Sequence, residues 1–201
     1  GYRFPSMAEL FISTNQSGLE IYPNPDLKPE SGWSTEIGIK QGVRLGNWMG
    51  YLDVAAFLMQ YDNMMEFTFG PWGKNLGDDT TTFTLETTNM YGLGFKSVNV
   101  GKTQISGIEF SMTGQGKVTQ DITINILAGY TYMNPISLDL NKVYATAFDG
   151  ITEITYAISS SDTTVLKYRY KHLAKIDTEI AYKKLSMGAS FRYNDFMQNI
   201  D

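Results

Sequence analysis

The chain has 201 residues, with 16 basic and 21 acidic side chains, one histidine, no cysteine, and 42% hydrophobic and 13% aromatic residues. Without cysteine there is no disulfide scaffold, thiolate metal site or cysteine nucleophile, and a net charge of −5 leaves no basic surface broad enough to neutralise a run of phosphates, so nucleic acid is set aside as a partner. No stretch approaches the roughly 18 consecutive apolar residues of a transmembrane helix, whereas a transmembrane β-barrel passes this filter, because its strands are apolar on one side only and leave the mean hydropathy, −0.22, unremarkable.

Apolar residues recur with period 2 nearly everywhere, which predicts strands. In Ser34–Val43, Thr35, Ile37 and Ile39 oppose Glu36, Gly38 and Lys40. In Gly50–Asp62, Leu52, Val54, Ala56 and Leu58 oppose Tyr51, Asp53, Ala55 and Phe57. A third strand is expected over Ser97–Thr113, with Ile108, Phe110 and Met112 against Gly107, Glu109 and Ser111. The cleanest alternation runs from Asp121 to Tyr132, where Ile122, Ile124, Ile126, Ala128, Tyr130 and Tyr132 alternate with Asp121, Thr123, Asn125, Leu127, Gly129 and Thr131. His172–Tyr182 sets Ala174, Ile176, Ile180 and Tyr182 against Lys175, Asp177 and Glu179, and Leu185–Asn194 sets Leu185, Met187, Ala189, Phe191 and Tyr193 against Ser186, Gly188, Ser190, Arg192 and Asn194. No segment holds apolar residues at helical spacing over three turns, so helix is at most a minor loop feature.

The connections alternate in length. Arg44–Asn47, Gly114–Lys117 and Lys183-Lys184 are short enough for hairpin turns, while the joins from about Phe69 to Phe95 and from about Asn134 to Tyr170 are long and polar. Short turns at one rim and long loops at the other are the pattern of an outer-membrane barrel; a soluble sandwich spaces its turns more evenly. The strands are also longer than the roughly 5–6 residues usual in soluble sheets, and suit the 9–11 that cross a bilayer at a tilt. Tyr51, Tyr61, Tyr130, Tyr132, Tyr168, Tyr170, Tyr182 and Tyr193 cluster at strand ends, with Trp33 and Trp48 at opposite ends of the first strand, where an aromatic girdle is expected. The chain opens at Gly1-Tyr2-Arg3-Phe4 with no leader and stops at Asn199-Ile200-Asp201 soon after a strand, so it is read as an internal fragment; a missing signal peptide then carries no information on compartment.

Two stretches resemble TonB-dependent outer-membrane receptors. The first is Gly1-Tyr2-Arg3-Phe4-Pro5-Ser6, then Asn24-Pro25-Asp26-Leu27-Lys28-Pro29-Glu30, then Trp33-Ser34-Thr35-Glu36-Ile37-Gly38. The second is Asn99-Val100-Gly101-Lys102 followed by Gly107-Ile108-Glu109-Phe110. The resemblance covers the whole chain, and the loop style is similar to that of receptors from the Bacteroidetes. It implies an all-β fold, an antiparallel transmembrane β-barrel fragment of about six strands in a barrel of 22, with residues 1–201 forming part of the barrel domain and the plug domain and closing strands lying outside this chain. It implies a bacterial outer-membrane location and active import of a scarce nutrient such as siderophore-iron, cobalamin or a glycan. The implied partners are outer-membrane lipid, the TonB complex acting through the plug, the nutrient substrate and a surface lipoprotein; no cofactor is implied.

Physical chemistry supports the motifs. Two prolines in Asn24–Glu30 fix φ and disfavour helix before them, delivering an extended chain to the start of a strand, so this segment is read as structural. The polar strand faces collect Glu36, Lys40, Asp53, Glu109, Asp121, Lys175, Asp177, Glu179 and Arg192, charges of both signs that would suit a polar plug or a solvated lumen.

Sharper chemistry finds little support. His172 is the only histidine, and neither Asp78-Asp79 nor Asp177 with Glu179 has the spacing of an EF-hand or a histidine-carboxylate metal site. A serine hydrolase would need His172 as its base, yet there is no Gly-x-Ser-x-Gly elbow. No catalytic or metal residue is therefore assigned. The long loops carry the candidate ligand residues: Trp72 with Lys74 joins an aromatic platform to a cation, and Tyr91, Tyr144, Phe148 and Asp149 offer similar chemistry at the same rim. Stacking plus a few polar contacts would suit an aromatic chelate, a glycan or a corrinoid; the competing expectation is that these aromatics pack the loops, as Phe83 and Met90 are expected to do. A passive porin or adhesin barrel and a soluble carbohydrate-binding β-sandwich are the alternative functions. The membrane reading expects Ile124 to meet lipid near the bilayer midplane and Thr123 to face a wet interior.

Overall fold

The computed structural model describes residues 1–16, 19–72, 93–140, 143–148, 153–157 and 164–200. β1 (Tyr2–Arg3) and the one-turn helix α1 (Met7–Phe11) lead into β2 (Thr14–Gln16), β3 (Leu19–Tyr22), β4 (Glu30–Leu45) and β5 (Trp48–Asp62). Then come β6 (Met65–Pro71), β7 (Leu93–Asn99), β8 (Thr103–Lys117) and β9 (Ile122–Ser137), followed by β10 (Val143–Phe148), β11 (Glu153–Ala157), β12 (His172–Tyr182) and β13 (Leu185–Asn194). One seven-stranded sheet runs β1-β4-β5-β8-β9-β12-β13, a four-stranded sheet runs β2-β3-β7-β6, and β10 pairs with β11. The seven-stranded sheet is a meander of antiparallel neighbours, and its long strands β4, β5, β8, β9, β12 and β13 are the six that the alternation predicts.

Register turns the alternation of single strands into two continuous faces, because residues paired across a ladder share a side. One row reads Ile39, Val54, Phe110, Tyr130, Ala174, Tyr193 across all six strands. The next reads Gln41, Leu52, Met112, Ala128, Ile176, Phe191. The opposite face carries Lys40, Asp53, Ser111, Gly129, Lys175 and Arg192 in one row. Ile37, Ile39 and Met187 are 77%, 73% and 80% exposed, so among the described residues no second layer covers the apolar face as a sandwich would. The sheet curls toward its polar face: residues of β4 and of β13, the outermost long strands, line one concavity of about 1070 Å³ with Tyr51, Thr113, Asn125 and Asp177.

Depth along the wall follows from the same register. The outward residues of β12 run from His172 through Ala174, Ile176, Thr178 and Ile180 to Tyr182. Ten steps at about 3.3 Å, shortened by a tilt of about 40°, span roughly 25 Å, the height of a barrel's apolar band. Ile176 and Thr178 therefore straddle the middle. Ile124 pairs with Ile180, one outward step from the Ile122–Tyr182 row, so it sits near the short-turn boundary and not at the midplane expected for it. Of the expected girdle, Tyr130, Tyr132, Tyr182, Tyr193, Trp33 and Trp48 lie on the outward face, whereas Tyr51 and Tyr61 share the inner face of β5 with Asp53.

β4 starts at Glu30 and β9 runs to Ser137, beyond the expected Ser34 and Tyr132, and two further boundaries differ in kind from the sequence expectation. Gly114–Lys117 is not a turn: β8 continues through it and pairs with Asn125, Ile124 and Thr123, and the chain reverses at 118–121. Its glycines serve the outer surface: the Trp48 indole lies against Gly50 and Gly114, and Trp48 Cα and Cβ lie against Gly116, in space a Cβ would occupy. The expected strand Ser97–Thr113 is two strands, β7 and β8, broken at Gly101, which adopts φ +88°. That backbone is costly for a side chain, and a Cβ there would meet Asp139 Oδ2 at 2.6 Å. Hairpins at Gly46-Asn47 and Lys183-Lys184 are as expected.

Candidate functional site

At the rim away from the short turns, the chain leaves the wall and builds a second structure. β6 and β7 pair antiparallel and β3 adds in parallel to β7. Met64, Val98, Val100 and Leu166 form a small buried cluster, with Tyr61, Trp72 and Ile105 packed against it, and the buried Thr103 hydroxyl donates to Met64 Sδ at 3.0 Å. The prolyl segment before β4 is clasped onto this platform. Asn99 Oδ1 accepts from the Lys28 amide at 2.9 Å, and its Nδ2 donates to the Lys28 and Asn63 carbonyls at 3.0 and 2.8 Å. Asn24 Nδ2 donates to the Ser97 carbonyl at 2.8 Å, and the Met65 amide donates to Glu30 at 3.0 Å. The two motifs singled out in the sequence therefore meet in space, and the first is structural as expected.

Of the candidate ligand residues, Trp72 is the one whose side chain is described. Its indole N–H donates to the Thr68 carbonyl at 3.2 Å, and the cation over its ring, at 5.6 Å, is Lys96 of β7. Tyr144 lies in β10, and Lys74, Tyr91 and Asp149, with Phe83, Met90 and the Asp78-Asp79 pair, lie outside the described residues. Sequence inspection missed Lys96 because only strand pairing brings it beside Thr68 and Tyr22. Burial pushes the Lys96 ammonium below its ordinary value, partly offset by Asp26, and burial with a hydrogen bond to Glu20 raises the Tyr22 hydroxyl to about 12. The Lys167 ammonium, fully buried, donates to Thr68 Oγ1 at 3.1 Å. Phe67 and Phe95 stack at 5.1 Å, and Phe69 meets Phe95 edge-on at 5.3 Å. The rim thus offers aromatic faces and half-buried cations, chemistry that holds planar or sugar-like ligands with anionic groups.

The family described as "TonB dependent receptor-like, beta-barrel" matches residues 1–199. The chain belongs to this family. No curated protein matches it. The family is one of outer-membrane transporters that bind a substrate and engage TonB, which agrees with the outward apolar belt; in such barrels the longer loops are the extracellular ones.

In this receptor the concave face is the lumen wall. Lys40 pairs with Asp53 at 3.8 Å, and Asp177 accepts from Arg192 at 3.1 Å and from the Ser190 hydroxyl at 2.6 Å. Asn125 donates to Glu179 at 3.2 Å. Glu36 and Glu109, the carboxylates of the two recognised strand motifs, share this face and form no ion pair among the described residues. His172, the base a hydrolase would need, sits on the opposite, outward face beside Tyr130 and Tyr132.

Proposed function

We propose that this chain is part of the barrel domain of an active importer. Scarce nutrient is captured at the outer rim, and the TonB complex, acting through a plug domain held in the lumen, releases it inward. The observation that carries the reading is the lumen wall: it is charged with both signs and presents Glu36 and Glu109 without cationic partners among the described residues. A polar plug would pair such groups, whereas an open pore would leave them to water. On this reading a plug and further strands complete the barrel, since the six long strands curl without closing and unpaired outer ladders of β4 and β13 would be costly in hydrocarbon.

For substrate, Trp72, Lys74, Tyr91, Tyr144 and Asp149 are proposed contacts, joined by Lys96. Their chemistry fits a siderophore-iron chelate, a corrinoid or a glycan, with a surface lipoprotein as a further partner at the rim. Accumulation of labelled candidates from these classes by cells carrying the complete receptor tests the reading. Uptake of one class that stops when a protonophore collapses the proton-motive force is expected. Accumulation unchanged by the protonophore would establish a passive porin instead.

A further inference from the structure

Strand pairing sets three side chains in one row at the rim: Tyr22 of β3, Lys96 of β7 and Thr68 of β6. Members of such a row share a face. The Lys96 ammonium lies over the Trp72 ring at 5.6 Å, and the indole is held in place because its N–H donates to the Thr68 carbonyl at 3.2 Å. Trp72, Lys96 and Tyr22 each keep part of their surface and Asp26 is exposed, so the row opens to solvent. The other ammonium on this face, that of Lys167, is fully buried and donates to Thr68 Oγ1 at 3.1 Å.

Lys96 forms no ion pair among the described residues. The carboxylates around it are engaged or held off. Glu20, on the same face of β3, accepts from the Tyr22 hydroxyl, and Glu66, on the same face of β6, is buried. Asp26 acts on Lys96 through space. It belongs to the prolyl segment, whose backbone is pinned by the bonds from Asn24 to the Ser97 carbonyl and between Asn99 and Lys28. The row therefore presents a partly desolvated cation without a resident anion. Low dielectric weakens the hydration of such a cation and strengthens its attraction for an anion, and the indole beside it offers a flat apolar surface to whatever carries that charge.

On the reading of this rim as the end that captures nutrient, we propose that Lys96 selects the charge of the substrate: anionic oxygens of the ligand meet the Lys96 ammonium, its ring or chelate lies along Trp72, and Asp26 opposes the incoming charge. This narrows the ligand to an anionic one. A uronate glycan and a ferric tris-catecholate both supply such oxygens, whereas a neutral glycan, a neutral ferric hydroxamate and cyanocobalamin do not.

Binding to the complete receptor, purified in detergent and without an energy source, tests this separately from uptake. The probes are a uronate oligosaccharide against its methyl ester, a ferric tris-catecholate against a neutral ferric tris-hydroxamate, and cyanocobalamin. Tighter binding of the anionic member of one pair is expected, and the pair that shows it identifies the source of the anion. Lys96→Gln should weaken that binding about tenfold, and Lys96→Arg, which keeps the charge, should largely restore it. Asp26→Asn should tighten it about twofold, the smaller change expected of an exposed charge acting at a distance. Failure of both anionic probes to bind overturns the proposal, as does binding of a neutral member or of cyanocobalamin at least as tight. So does an anionic preference that survives Lys96→Gln undiminished. Accumulation in cells that ignores a protonophore would instead remove the importer reading and leave the charge preference standing.

Discussion

The wall and the rim of this receptor are stabilised in opposite ways. In the wall, β4, β5, β8, β9, β12 and β13 are tied by unbroken ladders, and their apolar side chains lie on the surface; all ten residues of β13 are exposed. At the rim, loops and short strands enclose a small interior. Among the described residues, the buried apolar side chains Ala55, Phe57 and Pro135 belong to wall strands, while Leu27, Met64, Met65, Val98, Val100, Val165 and Leu166 lie at the rim. The rim folds as a soluble domain does, by burying apolar surface and satisfying loop amides with side chains. Lipid supplies the wall's apolar environment, so closed backbone hydrogen bonding is what the wall must provide for itself.

Charge placed on the outward face should give the largest effect. Ile176→Arg in the complete receptor is expected to cost about 2–4 kcal/mol at the middle of the belt, and Ile124→Arg about 1 kcal/mol or less near its edge. Thr123→Arg, on the polar face, should be close to neutral. Equilibrium unfolding in lipid vesicles reads all three, and equal costs for Ile176→Arg and Thr123→Arg would refute the facing.

A smaller effect is expected from opening the rim while the wall stays intact. Asn99→Ala removes three hydrogen bonds to Lys28 and Asn63 and should cost about 1–3 kcal/mol locally. Faster hydrogen exchange or proteolysis over residues 24–30 would show it, with the barrel's resistance to detergent unfolding unchanged. Loss of both together would mean that rim and wall are one cooperative unit.

The smallest effect is a pH dependence at the N-terminal turn. Burial pushes the Glu9 carboxyl up, but hydrogen bonds from the Ser6 amide, from Arg3 and from the Ser6 hydroxyl outweigh it and hold the carboxyl below its ordinary value of 4.5. A lowered folded value means the stabilisation is present above pH 4.5 and is lost as pH falls through the depressed value. Exchange protection of the Leu10 and Ile12 amides, which donate to Ser6 and Ala8, should fall in that acidic window. Glu9→Gln should flatten the profile at these two amides.

Much of the wall is legible in the residues, because a strand with lipid on one side and water on the other must alternate, and alternation survives without knowledge of any neighbour. β12 and β13 were bounded from it alone, and the motif residues carried the family. Gly114 and Gly116 misled because turn chemistry and room for an indole both call for glycine. Lys96 was invisible as a partner of Trp72 because β7 and β6 are joined by long chain and meet only through pairing.

By itself, then, the sequence determined which side of each strand is apolar and which rim carries the insertions, since these depend on periods of two and on local turn chemistry. Tertiary structure alone decided depth, partnership and the break at Gly101. A ladder shifted by two residues keeps every face yet moves Ile124 relative to the membrane, so only the register across six strands assigns height.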